Sequence, residues 1–327
     1  MVDQLSSVET CGACGSPLGE NRESTDRLCD ECRAHQPVAL STDELRQADA
    51  DAVQPLTPYA DYYATLQPQP EAAPDPDRPH WGPITGIGVW LFSVAAIIVV
   101  PFVAVFAWYL LDRQRGVDIP VLTDAAAMLE YVQSARLIVV QIYSTIIAHL
   151  VTLGFCWVVV TRLKRYPFLK SLGWNWAGKS AGYWVLFSAA VFIAIMVADF
   201  ILTRFVPQSE PPFTELLKKS YHVKVAVAVL ATFSAPFVEE VIYRGVLYSG
   251  LRKFFGVPAT IIAVTVLFAG VHVPQYWGAW ASLSGLMLLS LTLTVVRART
   301  KSILPCVVIH TVNNSVISLL LVLGIVT

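Results

Sequence analysis

Charge is what this sequence has least of. Only 14% of its 327 residues are Asp, Glu, Lys or Arg, and 55% are hydrophobic, against about 25% charged in an average soluble domain. That shortage excludes an ordinary water-soluble enzyme. The first 30 residues hold no apolar core region, so no secretory signal peptide is expected there. No His-Glu-x-x-His segment occurs, which removes the familiar way of fixing two zinc ligands on one helical face. No internal repeat is visible, which counts against a transporter built from inverted halves. Cysteine is scarce too, six in all. Two of them, Cys156 and Cys306, stand alone in apolar runs, where a thiol behaves as a small hydrophobe.

The net charge of −1 conceals a division. Residues 1–83 carry fifteen acidic and five basic side chains, and residues 84–327 carry nine and eighteen. An acidic first part would repel phosphates, and the basic excess of the second follows from membrane loops. No nucleic-acid partner is indicated. Three regions follow: a small cysteine-containing segment at 1–35, a Pro/Ala-rich linker at 36–83, and a transmembrane domain at 84–327. The linker contains Pro68, Pro70, Pro74, Pro76 and Pro79, and such a stretch cannot bury enough apolar surface to order itself.

In the first region, Cys11-x-x-Cys14 and Cys29-x-x-Cys32 are separated by 14 residues. Two such knuckles suit a closed tetrahedral site, the arrangement of a structural zinc ribbon, with two disulfides as the alternative. A closed four-cysteine site has no open position for chemistry. The segment is similar to the short zinc ribbons at the ends of many microbial membrane proteins, and that resemblance implies tethering or regulation, with a protein partner for the ribbon.

Seven apolar runs come next, near 84–111, 137–161, 183–205, 223–243, 258–275, 278–296 and 303–325, each able to cross about 30 Å of hydrocarbon. The fold class expected is therefore an all-α polytopic membrane protein, a bundle of about seven transmembrane helices. Lys and Arg are more frequent on the side that holds Arg78, the 162–179 loop, Arg252, Lys253 and 297–301. That bias favours a cytoplasmic N-terminus in the cytoplasmic membrane. A reducing compartment in turn favours metal over disulfides at the cysteines.

Within this apolar domain a few polar residues need a reason, since an ionisable side chain at the bilayer centre costs about 2.5–3.5 kcal/mol on insertion scales. Glu239 and Glu240 are adjacent. Arg244 lies four residues after Glu240, on the same helical face, so the two charges can pair. Glu239 points about 100° away and is left for another task, such as general-base activation of water. Phe268 and His272 share a face of the fifth run. His310 and Asn314 share one in the seventh. Each histidine alone reads most simply as a hydrogen-bonded interior residue, but together with unexplained carboxylates they form a constellation. His149 and Asp199, elsewhere in the spans, read as structural.

The order Glu-Glu-x-x-x-Arg, Phe-x-x-x-His, His-x-x-x-Asn on successive helices resembles the CPBP family, which includes the CAAX prenyl endopeptidases and the bacteriocin-immunity (Abi) proteins. The likeness covers roughly Lys224 to Val322, with a protease core at about 183–327. Tyr243 stands where the family often has Phe. The resemblance implies an intramembrane endopeptidase acting on membrane-associated or lipidated proteins at the bilayer. Glu239 would activate water and His272 would hold it. His310 and Asn314 would stabilise the oxyanion, an interaction commonly worth about 3–4 kcal/mol. Glu240, Arg244 and Phe268 would support them. The resemblance favours catalysis without a metal; zinc held by Glu239, His272 and His310 is the alternative. The competing function is a non-proteolytic scaffold or immunity protein that works by binding a partner.

Overall fold

The computed structural model describes residues 10–14, 16, 18, 28, 30–34 and 75–325. The chain divides into two units, Met1–Glu71 and Ala72–Thr327. In the first unit, the described residues include a short helix, Asp30–Ala34, that carries Cys32. Cys29, and the linker up to residue 74, lie outside the described residues.

The second unit is helical, with no strand among its described residues. Its elements are α1 (Pro83–Gln114), α2 (Ala125–Val132), α3 (Ala135–Thr161), α4 (Ala181–Phe205), α5 (Pro212–Lys218), α6 (Tyr221–His272), α7 (Trp280–Thr300) and α8 (Leu304–Val322). Their ends follow local chemistry. Pro83 opens α1, where a missing N–H costs nothing. The side chains of Asp124, Ser180 and Ser220 accept the backbone N–H groups of Ala127, Tyr183 and Val223, capping α2, α4 and α6. Lys301, in the left-handed conformation at φ 54°, ends α7.

Six of these helices, α1, α3, α4, α6, α7 and α8, are long and apolar enough to cross a membrane. Their outer faces are apolar, with Phe102, Leu186 and Phe205 at least 70% exposed. Such continuous apolar surface suits lipid rather than water. The protein is an integral membrane protein.

Seven runs were expected and six helices carry them because α6 contains two. At 1.5 Å per residue its 52 residues would stretch about 78 Å, more than twice the hydrocarbon thickness. It folds back at Gly256, whose φ of 72° and ψ of 177° break the helix ahead of Pro258. The rings of Tyr243 and Phe268 come within 5.0 Å, although 25 residues of straight helix would hold them about 37 Å apart. The fourth and fifth runs are thus the two arms of a helical hairpin. The first arm continues past 243, where the fourth run was expected to end, and Val246 to Leu251 are all buried.

The hairpin is the centre of the domain. Val241, Val246, Leu247, Val264 and Phe268 form its core with Val89 of α1, Cys156 and Val160 of α3, and Ile303. Residues Asp75–Gly82, assigned above to the linker, are folded against the same core. Trp81 is buried and donates through Nε1 to the Val246 carbonyl at 3.0 Å. Asp77 pairs with Arg252, with Arg297 at 2.9 Å and with Lys301 at 3.9 Å. Ser302 exchanges hydrogen bonds with Asn175. The loops that the charge count assigned to one side therefore do gather at one end of the bundle.

Close approach of Gly82 to the hairpin requires Gly250. A Cβ there would lie 2.8 Å from the Gly82 carbonyl oxygen, whereas one at Gly88 meets nothing within 4 Å. Gly250→Ala is expected to destabilise the domain by about 1–3 kcal/mol and Gly88→Ala to leave it unchanged. Thermal unfolding of the purified variants in detergent measures the difference.

Candidate active site

The helix that carries the paired glutamates is not a regular α-helix. Leu230–Ser234 and Val241–Leu247 are widened, π-helical turns on either side of Ala235–Glu240. Pro236 explains the first, because it has no N–H to return to the preceding turn. Gly245 eases the second. Widened turns leave carbonyls short of partners, and side chains from other elements supply donors. Asn314 Nδ2 donates to the Ala231 carbonyl at 2.9 Å, Arg297 Nε to that of Arg244 at 3.1 Å, and Trp81 to that of Val246. Such insertions often mark functional sites.

Glu240 and Arg244 are both wholly buried and joined at 2.8 Å. Every guanidinium nitrogen of Arg244 is engaged. Nη1 donates to Glu240 Oε1, Nη2 to the carbonyl and the hydroxyl of Ser290 at 3.0 and 2.8 Å, and Nε to Thr294 Oγ1 at 3.3 Å. The guanidinium also lies over the Phe268 ring, 4.9 Å from its centroid.

Glu240 Oε1 has a second partner, His310 Nδ1, at 2.8 Å. An ionised carboxylate only accepts, so Nδ1 carries a proton. The opposite ring nitrogen is thereby turned towards Glu239: Nε2 lies 3.8 Å from Glu239 Oε2. Glu239 is the accessible member of the pair, its side chain 21% exposed against none for Glu240. The helical spacing placed Glu240 with Arg244 and turned Glu239 away from that pair, as these contacts have it.

His272 ends the second arm of α6. Its Nδ1 donates to the Phe268 carbonyl at 2.8 Å, which leaves Nε2 free. Phe268 lies between the two imidazoles, its ring centroid 4.9 Å from that of His272 and 5.9 Å from that of His310. The hairpin turn at Gly256 is what returns the second arm to the first, with the Phe268 ring beside Tyr243, Arg244 and His310. Asn314 follows His310 by one turn of α8. One of its two amide N–H groups is spent on Ala231, and the other is not.

Other residues at this site were not picked out from the sequence. Ser290 and Thr294 on α7 complete the Arg244 cage, and the only trace of them in the sequence is two hydroxyls four residues apart in an apolar run. His149, read as structural, sends Nδ1 to within 2.7 Å of Ser234 Oγ and lies in the field of the Glu239 carboxylate. The Tyr243 hydroxyl, one helical turn beyond Glu239, accepts from Trp90 Nε1 at 3.1 Å. Asp199 has no part in these contacts.

In the N-terminal unit, the ligating sulfurs of Cys11, Cys14 and Cys32 all lie within 4.8 Å of one another, compatible with a metal site. Hydrogen bonding with Ser16, through its side chain and then its backbone, holds the Cys14 thiol below its usual pKa and favours the thiolate that binds metals.

Removing one partner of a buried ion pair leaves the other uncompensated. Arg244→Leu is therefore expected to cost about 3–5 kcal/mol, and Arg244→Leu combined with Glu240→Leu clearly less. Chemical or thermal unfolding of the single and double variants checks this.

A family model described as type II CAAX prenyl endopeptidase Rce1-like matches residues 221–316. The match starts at the first residue of α6 and ends within α8, so it takes in Glu239, Glu240, Arg244, Phe268, His272, His310 and Asn314. No curated protein and no solved structure matches the chain. Within this membrane bundle, residues 221–316, from α6 into α8, are similar to the Rce1-like type II CAAX prenyl endopeptidase family.

Proposed function

We propose that the protein is an intramembrane endopeptidase that hydrolyses peptide bonds of membrane-associated or lipidated proteins with water activated by Glu239. The observation that carries the reading is the 3.8 Å between Glu239 Oε2 and His310 Nε2. This is too long for a direct hydrogen bond, yet one water oxygen can stand about 2.8 Å from both atoms. Glu239 takes a proton from that water as its oxygen bonds to the peptide carbonyl carbon. His272 accepts a hydrogen bond from the second water O–H through its free Nε2 and so holds the nucleophile. The carbonyl oxygen, now negative, is stabilised by the remaining amide N–H of Asn314 and, as the resemblance implies, by His310, whose Nδ1 stays on Glu240. The carbon–nitrogen bond then breaks, and the departing amine takes the proton from Glu239.

Hydrolysis runs without a metal in this reading, as the resemblance to CAAX prenyl endopeptidases implies. The cysteine sulfurs, which lie within 4.8 Å of one another, are the set compatible with a metal. Zinc belongs to the cysteines in this reading, with Cys29 as the fourth ligand. It would fold the segment without taking part in hydrolysis. The N-terminus is assigned to the cytoplasm, where the thiols stay reduced and the segment can meet a protein partner.

Glu239→Gln keeps the size of the side chain and removes the base. It is expected to lower kcat by about 10²–10⁴-fold, measured with a quenched fluorescent lipidated peptide and purified protein in detergent. A scaffold that works by binding alone would be indifferent to that change. Metal analysis of the purified chain is expected to find one zinc, lost in Cys11→Ser/Cys14→Ser with hydrolysis retained; zinc that persists in that variant would place the metal elsewhere.

A further inference from the structure

Arg297 of α7 is a second wholly buried guanidinium, and the mechanism above leaves it unused. Its Nη1 donates to Asp77 Oδ1 at 2.9 Å, and its Nη2 to the Pro76 carbonyl at 3.0 Å and to Ser249 Oγ at 2.9 Å. Its plane lies over Tyr248, 5.0 Å from the ring centroid. The remaining donor, Nε, reaches the Arg244 carbonyl at 3.1 Å. That carbonyl belongs to the widened turn whose side chain grips Glu240. The contacts then continue through Arg244 Nη1 to Glu240 Oε1 and from Glu240 Oε1 to His310 Nδ1, each at 2.8 Å.

A planar fork held at three corners cannot rotate without breaking several bonds together. The position of the Arg244 backbone is therefore tied to whatever orients Arg297, and the carboxylate that does so is Asp77. Asp77 stands far outside residues 221–316, in the segment that leads into α1. We infer that Asp77 is a positioning residue for the site: by locking Arg297 it fixes the Arg244 backbone, and through Arg244 and Glu240 it sets the His310 imidazole against Glu239. The inference rests on the functional reading above for its catalytic consequence, but its structural content can be tested without turnover.

The test uses full-length protein with ¹⁵N-labelled histidine in detergent, comparing wild type, Asp77→Asn and Asp77→Glu. The His310 signal is assigned by its loss in His310→Asn, and His222, at the start of α6, is the control. Asp77→Asn is expected to move the His310 ring-nitrogen signals and leave those of His222 in place. In the folded fraction, kcat should fall by about tenfold to a hundredfold with KM unchanged, as for a small misplacement of a catalytic group. Asp77→Glu keeps the charge beside Arg297, so it preserves the fold, and it should show the same changes at smaller amplitude; it carries the test if Asp77→Asn does not fold. A folded variant whose His310 signals and kcat equal those of wild type overturns the inference. If the wild type hydrolyses no peptide yet His310 still responds to Asp77, the link stands and the peptidase reading falls.

Discussion

The buried pair of Glu240 and Arg244 is the interaction on which the rest of the site depends. Two charges withdrawn from water inside a bilayer protein lose solvation that their mutual attraction alone does not restore. Here the deficit is met by further partners: the hydroxyl and carbonyl of Ser290, the hydroxyl of Thr294, the face of Phe268 and the imidazole of His310. Each partner is also a constraint. Holding Glu240 in one place holds His310 in one tautomer and one orientation, and so presents its other nitrogen to Glu239. The adjacent carboxylates are thus placed differently, one wholly buried and one reachable.

That division needs an irregular backbone. Two widened turns bracket the glutamates and leave carbonyls that the helix does not fully engage. Asn314, Arg297 and Trp81, from three different elements, donate to them. An irregular helix in a membrane is tolerable only where protein rather than lipid satisfies its polar groups. The same bonds that make the distortion affordable join α8, α7 and the Asp75–Gly82 segment to the helix that bears Glu239. The Rce1-like match covers only α6 to α8, yet Trp81, Trp90 and His149 complete the surroundings of the site from outside it.

Much of this was legible in the sequence because the bilayer imposes simple rules. Apolar runs announced the helices, and charges inside them announced a site. The i,i+4 spacing paired Glu240 with Arg244 and set Glu239 apart. The hairpin in α6 was legible as two runs, though not as one helix folded at Gly256. Asp75–Gly82 was misjudged because proline-rich composition says nothing of a single aspartate that finds a buried arginine. His149 was read as structural, and its hydrogen bond to Ser234 agrees with that reading; that Ser234 would be its partner could not be read from a lone histidine in a span.

What the amino-acid order determined by itself was periodicity: which residues share a helical face, which stretches are apolar enough to enter lipid, and which side chains are too polar to be there without cause. Tertiary structure alone decided the pairings between distant segments: His310 with Glu240, Arg297 with both Asp77 and the Arg244 carbonyl, Asn314 with Ala231. The physical reason is that a helix's own spacing fixes neighbours within one turn. Contacts across helices depend on tilt, on widened turns and on where the chain reverses, and those emerge only when the whole bundle packs.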